Sequence, residues 1–385
     1  GVHDLLEART SGPLTATSGA TGEIIWQTRI DTGRREFLVR PATTRDPRHD
    51  LLETPHDLDG DGTTDLLLAA GEGAYRDRKP IVMAVSGRTG LRLWQSDLAV
   101  QRTRGPRLLD CRDLDGDGQL EIVFAAWTDY GLPPHEYFEG QNESRLWLAV
   151  LSGRDGRTRW TQPLTEAQDP TKGSEPYDLS GVLLEAAYAD LNRDHIDEVL
   201  LPAQRSPGSA LLELRALSGG DGRRLWGSEL PKSRNASDSF RDAPPAAVGD
   251  LDGDGRLAVI VLSLTEGATP QGDACHVVRA CALNGQTGRL RWQWEAPANL
   301  SSNEIGRNGE RIKDRLWPLL LRRPDGKQWV ALATWQNGRE IHVLDESGRL
   351  ISSRSKTLSF LDRGIRVWTV DAVDDGGDEL MLLTE

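Results

Sequence analysis

Five short segments of the sequence carry carboxylates at alternate positions, with glycine or other small residues between them. Oxygen ligands in a tightly turned loop suit Ca²⁺, which takes about 6–8 of them, and glycine lets the chain curl at no steric cost. We therefore predict calcium at the first four loops. The expected ligands are Asp57, Asp59, Asp61 and Asp65 in the first loop, Asp113, Asp115, Asp117 and Glu121 in the second, Asp190, Asn192, Asp194 and Glu198 in the third, and Asp250, Asp252 and Asp254 in the fourth.

The five loops differ as ligand sets. The fourth ends in Ala258 where the first three have a carboxylate, and the fifth, at 371–379, has Val373 at its third position. Ligand number and charge set calcium affinity, so we expect about two to four structural ions, with the loops at 250–258 and 371–379 the weakest. The alternative is that these segments are simply good turns. It applies least to the first two loops, because four crowded carboxylates repel one another without a cation.

The rest of the composition argues against several classes of protein. The chain has 46 Lys and Arg against 59 Asp and Glu, a net charge of −13, whereas a nucleic-acid binder presents a basic face. Its apolar runs, such as 316–321, are far shorter than the ~20 residues of a membrane span. The three cysteines have no CxxC spacing, so we expect buried or free thiols. No HExxH, GxSxG or P-loop motif is present. We expect no nucleic-acid partner, no direct membrane insertion and no catalytic residue.

A second motif identifies the strands and turns that hold the acidic loops. A small residue and glycine are followed, after three residues, by tryptophan, and the tryptophans are spaced by 68, 66, 66 and 66 residues. An alternating apolar strand ending in Ser-Gly or Asn-Gly precedes most copies, which is typical of a β-hairpin. The tryptophans are Trp26, Trp94, Trp160, Trp226 and Trp292.

The two motifs alternate, so each repeat holds two hairpins, or four strands. We predict an all-β fold: a single six-bladed β-propeller with four antiparallel strands per blade. Half a repeat at each end predicts a last blade closed by both termini. If the chain is a piece of a longer protein, seven or eight blades follow. The predicted blades span about 50–98, 106–163, 184–229, 244–296 and 315–354, with the last from 365–385 plus 13–29.

The aspartate hairpins resemble the FG-GAP/VCBS repeats of integrin α-subunit propellers and many bacterial surface proteins. The tryptophan hairpins resemble the docking repeats of pyrroloquinoline-quinone-type propellers. The resemblance implies that each aspartate loop joins the first two strands of a blade and binds Ca²⁺. It implies little about function, because propellers host many functions. Quinone-dependent catalysis is not expected, since the family's vicinal Cys pair is missing; we read the tryptophans as packing between blades.

Both repeating turns fall on one face of a propeller, and the irregular connections fall on the other. Long loops on a rigid scaffold are where binding usually resides. We expect a protein or glycan to bind this irregular face through aromatic side chains. The connections are 29–50, 71–80, 127–144, 163–183, 229–243, 265–275 and 295–314, and the aromatic residues are Trp127, Tyr130, Tyr137, Phe138 and Trp335.

These features predict a non-catalytic, calcium-stabilised recognition or scaffold module, or one part of a larger surface protein. Weak calcium modules suit the millimolar calcium outside cells, so we expect an extracytoplasmic location: secreted, periplasmic or cell-surface. One alternative is a polysaccharide-active enzyme, a lyase or glycosidase acting in the central funnel. Another is a carbohydrate-binding lectin.

Overall fold

The computed structural model describes residues 4–8, 13–29, 37–41, 43–45, 53–72, 79–97, 103–128, 145–164, 186–203, 211–231, 246–268, 274–298, 318–336, 338–356, 365–370 and 377–384. All regular structure in these ranges is β-strand, so none of them contains a helix that could cross a membrane. The chain divides into two compact units. The first comprises Gly1–Asp46, Asp50–Ser180 and Gly220–Gly222, and the second Pro47–His49, Gly181–Gly219 and Arg223–Glu385.

The first unit contains two four-stranded sheets, of order β4-β7-β8-β9 and β10-β11-β12-β13, a three-stranded sheet β1-β2-β3, and a small hairpin β5-β6. All pairs are antiparallel. Its strands are β1 (Leu5–Ala8), β2 (Leu14–Thr17), β3 (Ile24–Thr28), β4 (Phe37–Pro41), β5 (Thr43–Arg45), β6 (Glu53–Pro55), β7 (Leu66–Glu72), β8 (Lys79–Val85), β9 (Arg92–Asp97), β10 (Thr103–Arg112), β11 (Glu121–Thr128), β12 (Arg145–Ser152) and β13 (Thr158–Pro163).

The second unit contains three four-stranded sheets, each with its strands in chain order, and a two-stranded sheet β26-β27. Pairing is again antiparallel throughout. Its strands are β14 (Ala187–Ala189), β15 (Glu198–Ala203), β16 (Leu211–Ser218), β17 (Arg224–Pro231), β18 (Ala246–Gly249), β19 (Ala258–Ala268), β20 (Ala274–Asn284), β21 (Leu290–Ala298), β22 (Leu319–Arg322), β23 (Gln328–Gln336), β24 (Gly338–Leu344), β25 (Leu350–Lys356), β26 (Ile365–Val370) and β27 (Glu379–Thr384).

The predicted all-β fold of repeated four-stranded antiparallel sheets is confirmed. In a sheet such as β10–β13, the acidic loop joins the first two strands and the Gly-x-x-x-Trp hairpin joins the last two. Antiparallel neighbours reverse direction at every turn, so these two turns lie at the same end of the sheet. This placement brings the acidic loop close to the tryptophan hairpin.

Two stretches expected to be irregular connections contain strands. Residues 29–50 include β4, whose Phe-Leu-Val run pairs with β7 and ends at Pro41, where a strand edge tolerates proline. In the stretch 265–275, residues 265–268 end β19 and residues 274–275 begin β20, and the two strands pair. At the amino-terminal end, β1 pairs with β2, so both edges of β2 are taken, by β1 and β3. The predicted last blade, 365–385 plus 13–29, does not include β1.

The regularly spaced tryptophans connect neighbouring sheets within each unit, as predicted. Trp94 Nε1 donates a hydrogen bond to the carbonyl of Gly153 at 2.7 Å, and its ring lies against Gly156. Trp226 contacts Gly285 and Gly288 in the same way. A buried indole needs a partner for its N–H, and a carbonyl at a glycine turn supplies one. The ring and the turn therefore form a repeated sheet-to-sheet joint.

The core of each unit lies on both faces of its sheets. In β8, every side chain from Ile81 to Val85 is buried, which explains why this strand reads as a continuous apolar run. The fully buried Phe124 belongs to the same unit, in the cluster with Trp94 and Cys111. Cys281 lies in a buried apolar cluster of the second unit.

Native thiol reactivity tests this burial. Cys111 and Cys281 are buried thiols that form no disulfide, as the sequence predicts, and burial raises the pKa of Cys281 to about 11. Because the thiolate is the nucleophile, a thiol with this pKa is almost entirely unreactive at pH 8. We expect a disulfide-exchange reagent to modify at most one of the three cysteines before unfolding and all three afterwards. Rapid reaction of two or more thiols in the native protein would contradict this packing.

Candidate functional site

The first aspartate of each of the first four acidic loops shapes its loop. Its two carboxylate oxygens accept hydrogen bonds from the backbone N–H groups of the fourth and sixth loop residues. For Asp57 these donors are Gly60 and Gly62, each at 2.6 Å. The same pair of bonds is made by Asp113, Asp190 and Asp250. One carboxylate thus holds the turn in each loop, and the side chains at positions three and five stay near it.

The fourth and sixth positions adopt the left-handed conformation. Gly60 and Gly62 have φ of 81° and 85°, where glycine has no steric cost. The third loop keeps this shape with Arg193 and His195, both at φ 67°. Left-handed backbone costs a non-glycine residue roughly 1–2 kcal/mol. The hydrogen bonds to Asp190 offset part of that cost, so the third loop is a true copy despite lacking the glycines.

The first loop brings its carboxylates together. Oxygens of Asp57, Asp59 and Asp61 lie within 4.8 Å of one another. Among the described residues, no lysine or arginine side chain pairs with them; Arg88 donates only to the backbone carbonyl of Asp61, at 3.4 Å. The N–H of Gly62, together with other loop amides, lowers the pKa of Asp57 below its ordinary value. The loop therefore holds carboxylate oxygens in one place.

Asp65, the last predicted ligand of the first loop, lies in the protein interior beneath the loop. It is fully buried, and its carboxylate accepts hydrogen bonds from Leu58 N–H at 2.7 Å and Gly87 N–H at 2.9 Å. Gly87 belongs to the tryptophan hairpin, so Asp65 ties the two turns together. Burial, reinforced by the charges of Asp59 and Asp57, raises the pKa of Asp65 against these hydrogen bonds. A cation in the loop would relieve that repulsion.

The second loop has the same four carboxylates but also an arginine among them. Oxygens of Asp113, Asp115 and Glu121 lie within 4.8 Å of one another. Arg159, on β13, places Nη2 at 2.5 Å from the Asp115 carboxylate and Nη1 at 3.7 Å from that of Asp117. Its Nη1 also donates to buried Glu121. Burial raises the pKa of Glu121, and the hydrogen bond from Arg159 opposes the rise. The guanidinium here stands among the predicted metal ligands.

The fourth loop repeats this arrangement in a weaker ligand set. Arg291, on β21, forms an ion pair with Asp252. With Ala258 at the last position, the three aspartates Asp250, Asp252 and Asp254 are the only acidic side chains at the predicted ligand positions. One arginine therefore neutralises a large part of this smaller set.

In the third loop, the side-chain amide of Asn192 donates hydrogen bonds to the carboxylates, as the arginine does in the second loop. Asn192 Nδ2 donates to Asp194 at 3.0 Å and to Glu198 at 3.1 Å. Glu198 is fully buried and also accepts a hydrogen bond from Leu191 N–H at 2.6 Å. Burial, with the charges of Asp194, Asp190 and Asp197, raises the pKa of Glu198 to about 7. This loop thus carries carboxylate repulsion that no described basic side chain relieves.

Several predicted site residues lie outside what the structure describes. Tyr130, Tyr137 and Phe138 are outside the described residues. Trp127 lies in β11 and Trp335 in β23, but their side chains are not described. Of the fifth loop, Asp378 is described: it accepts a hydrogen bond from Arg322 N–H at 2.8 Å and joins the β26–β27 hairpin to β22.

Sequence reasoning missed Arg159 and Arg291. A signal for them exists, because both immediately precede a repeat tryptophan, while the equivalent residue in the other two loop-bearing repeats is Leu93 or Leu225. Where the acidic loop is missing, the short turn at 324–327 places Lys327 at 2.7 Å from Glu346. Basic side chains thus accompany some of these turns and not others.

Comparison with known proteins gives no family. No protein-family model and no curated protein matches the chain. Among solved structures it is similar to a quinohemoprotein alcohol dehydrogenase from Comamonas testosteroni, with 12% identity and a TM-score of 0.45 over 96% of this chain and 60% of that one. It is also similar to the exotype rhamnogalacturonan lyase YesX, with 16% identity, a TM-score of 0.43 and coverage of 99% and 62%. A third is the V. cholerae biofilm matrix protein Bap1, with 16% identity, a TM-score of 0.38 and coverage of 93% and 43%.

The chain spans less than two thirds of the length of each of these three proteins. All three TM-scores are below 0.5, so the similarities carry no argument about activity, ligands or location.

Proposed function

We propose that this protein is a non-catalytic, calcium-stabilised six-bladed β-propeller that acts outside the cytoplasm as a recognition or scaffold module for a protein or glycan. The observation that carries the proposal is the first acidic loop. There, ionised carboxylates converge on a turn of fixed shape, and no described basic side chain neutralises them. The third loop is the next best site.

The proposed ion has a structural role. The ion would lie above the turn, held by Asp57, Asp59 and Asp61, with Asp65 beneath it. Asp65 accepts a hydrogen bond from Gly87 N–H, which belongs to the tryptophan hairpin. Calcium supplies positive charge and a demand for about 6–8 oxygens, so it would clamp the two turns of one sheet together. An ion that binds only the folded chain adds its binding free energy to stability. Millimolar extracellular calcium suits a site of this kind, which supports the extracytoplasmic location.

Calcium removal tests this proposal. We expect the chelated protein to unfold at a distinctly lower temperature than the protein in 1 mM CaCl₂. One site at a hundred times its Kd is worth about 2.7 kcal/mol of unfolding free energy. Thermal unfolding should be followed by circular dichroism, with metal analysis of the dialysed protein. MgCl₂ at the same concentration is the control, because Mg²⁺ keeps its waters and prefers a smaller octahedral site. No bound calcium and no shift in Tm would rule the calcium sites out.

The proposed closing blade has its own test. Because β1 occupies an edge of β2, we propose that β27 completes the ring either beside β1 or in its place. Deleting residues 1–12 removes β1. If β27 takes its place, the shortened chain should unfold at nearly the same temperature; a large loss would show that β1 is part of the closing blade.

The recognition role is tested separately from calcium. Binding to a glycan array or to a defined protein, weakened by Trp127→Ala, would support an aromatic recognition face. Cleavage of a polysaccharide by the purified chain would instead favour the lyase or glycosidase alternative and contradict a non-catalytic role.

A further inference from the structure

Every tryptophan hairpin contains a β-bulge directly before the tryptophan. In the last hairpin of the second four-stranded sheet, Trp160 lies opposite Val150 and Thr158 opposite Leu151, which leaves Arg159 with no partner across the ladder. The same shift of register occurs in the other three loop-bearing sheets. A bulge re-aims the side chain of the extra residue. The extra residues are Leu93, Arg159, Leu225 and Arg291.

In two of the four sheets, the bulge residue contacts the acidic loop of its own sheet. In the second and fourth loops it is an arginine that pairs with loop carboxylates: Arg159 with Asp115 and Glu121, and Arg291 with Asp252. In the sheets of the first and third loops it is a leucine. Leu93 and Leu225 are half-buried and pack against the apolar core of their units. The same bulge position thus holds a cation that pairs with the loop in two sheets, and a core-packed hydrocarbon in the other two.

We propose that this bulge residue decides which acidic loops bind calcium. An arginine serves as a built-in cation and keeps the ion out of the second and fourth loops, whereas a leucine leaves the first and third loops open to it. The inference rests on the calcium sites proposed above and narrows them to one or two ions per chain.

The arginine side chain and calcium would compete for the same carboxylate oxygens of the loop. Arg159 spans carboxylates of both halves of its loop, and a guanidinium binds carboxylate oxygens in a fixed planar fork. Calcium needs those oxygens at about 2.3–2.6 Å, so the N–H donors and the ion cannot share them. The two cations also repel. Because the arginine is part of the chain, it is present at high effective concentration, whereas calcium must be drawn from solution.

Replacing Arg159 by leucine tests the proposal directly, because leucine is the residue at this position beside the first loop. We expect Arg159→Leu to bind one more calcium ion per chain than the wild type, measured by isothermal titration and metal analysis. Arg157→Leu is the matched control: Arg157 lies two residues earlier, its side chain is 87% exposed, and among the described residues it forms an ion pair only with Asp155. It should leave the ion count unchanged.

The melting temperature separates a cation role from a merely structural one. In chelator, Arg159→Leu should unfold at a lower temperature than the wild type, because four carboxylates lose their counter-charge. Calcium should remove most of that difference. A deficit of equal size with and without calcium would mean that Arg159 only packs, and would overturn the proposal.

The reverse substitution uses the first loop. Leu93→Arg should cost the protein one calcium ion, while Leu91→Arg, which adds the same charge at a 68% exposed position of the same hairpin, should not.

The second loop is tested by a single substitution in the otherwise wild-type chain. Asp115→Asn should leave the number of bound calcium ions unchanged; a lost ion would show that the second loop binds calcium despite Arg159. A wild type without calcium would refute the proposed function, whereas the arginine proposal fails when Arg159→Leu gains no ion over the wild type.

Discussion

Gly156→Ala is expected to reduce the free energy of unfolding by about 2–5 kcal/mol. Gly156 has φ of 70°, so an alanine there pays roughly 1–2 kcal/mol for left-handed backbone. A Cβ atom would also lie less than 3 Å from the ring of Trp94, which is buried between two sheets. Forcing a methyl group into such a contact typically costs a further 1–3 kcal/mol or so. Urea unfolding followed by tryptophan fluorescence measures the loss.

Gly22 offers a matched control for this substitution. It occupies the same turn position in the first hairpin, with φ of 74°, and a Cβ there would meet nothing within 4 Å. Gly22→Ala should therefore reduce the free energy of unfolding only by the cost of placing alanine in left-handed backbone. On a Trp94→Ala background, Gly156→Ala should fall to the same small cost, because the ring it would strike is gone. Equal losses for the two alanines in the wild type would mean that the indole does not hold the sheets together.

Asp57→Asn is expected to weaken calcium binding at the first loop by about 100-fold or more. An asparagine keeps one acceptor oxygen, but both Asp57 oxygens are in use, toward Gly60 and Gly62. The side-chain amide would face one of these N–H groups donor to donor, so the turn would open as a ligand and a charge are lost. The hydrogen bonds that lower the pKa of Asp57 act on its ionised form, which is consistent with this reading. Calcium titration calorimetry measures the affinity.

Two further substitutions calibrate this effect. Asp59→Asn removes one charge and keeps the oxygen that accepts from Asp61 N–H, so we expect a loss of only about tenfold, since ligand charge tunes calcium affinity in steps. Asp155→Asn, in the exposed turn before Trp160, should leave affinity unchanged. Faster amide exchange at Gly60 and Gly62 in Asp57→Asn, and not in Asp59→Asn, would show that the turn has opened. Identical affinities for all three variants would contradict calcium binding at this loop.

The repeats, the strands and the acidic loops could be predicted from the sequence because each depends on local chemistry. Alternating apolar residues specify a strand, and glycines at the left-handed positions specify the turns; Asp57 and its equivalents then accept hydrogen bonds from within their own loops. The docking role of Trp94 could also be anticipated, since a large aromatic side chain at a fixed period must be buried somewhere. Even the third loop, without its glycines, has the predicted shape.

Only the tertiary structure decided which loops carry a counter-charge. Arg159 is far from Asp115 in the sequence, and the two meet because the last strand of a sheet returns to the end where the first turn lies. A β-bulge before Trp160 then directs the arginine toward that turn. The repeat pattern also could not predict that β1 pairs with β2 or that β4 pairs with β7. Which strands pair depends on which strand edges are free in the folded chain. Residue types and spacing therefore determined the repeated sheet and its acidic loops, and long-range strand packing determined how those loops are neutralised.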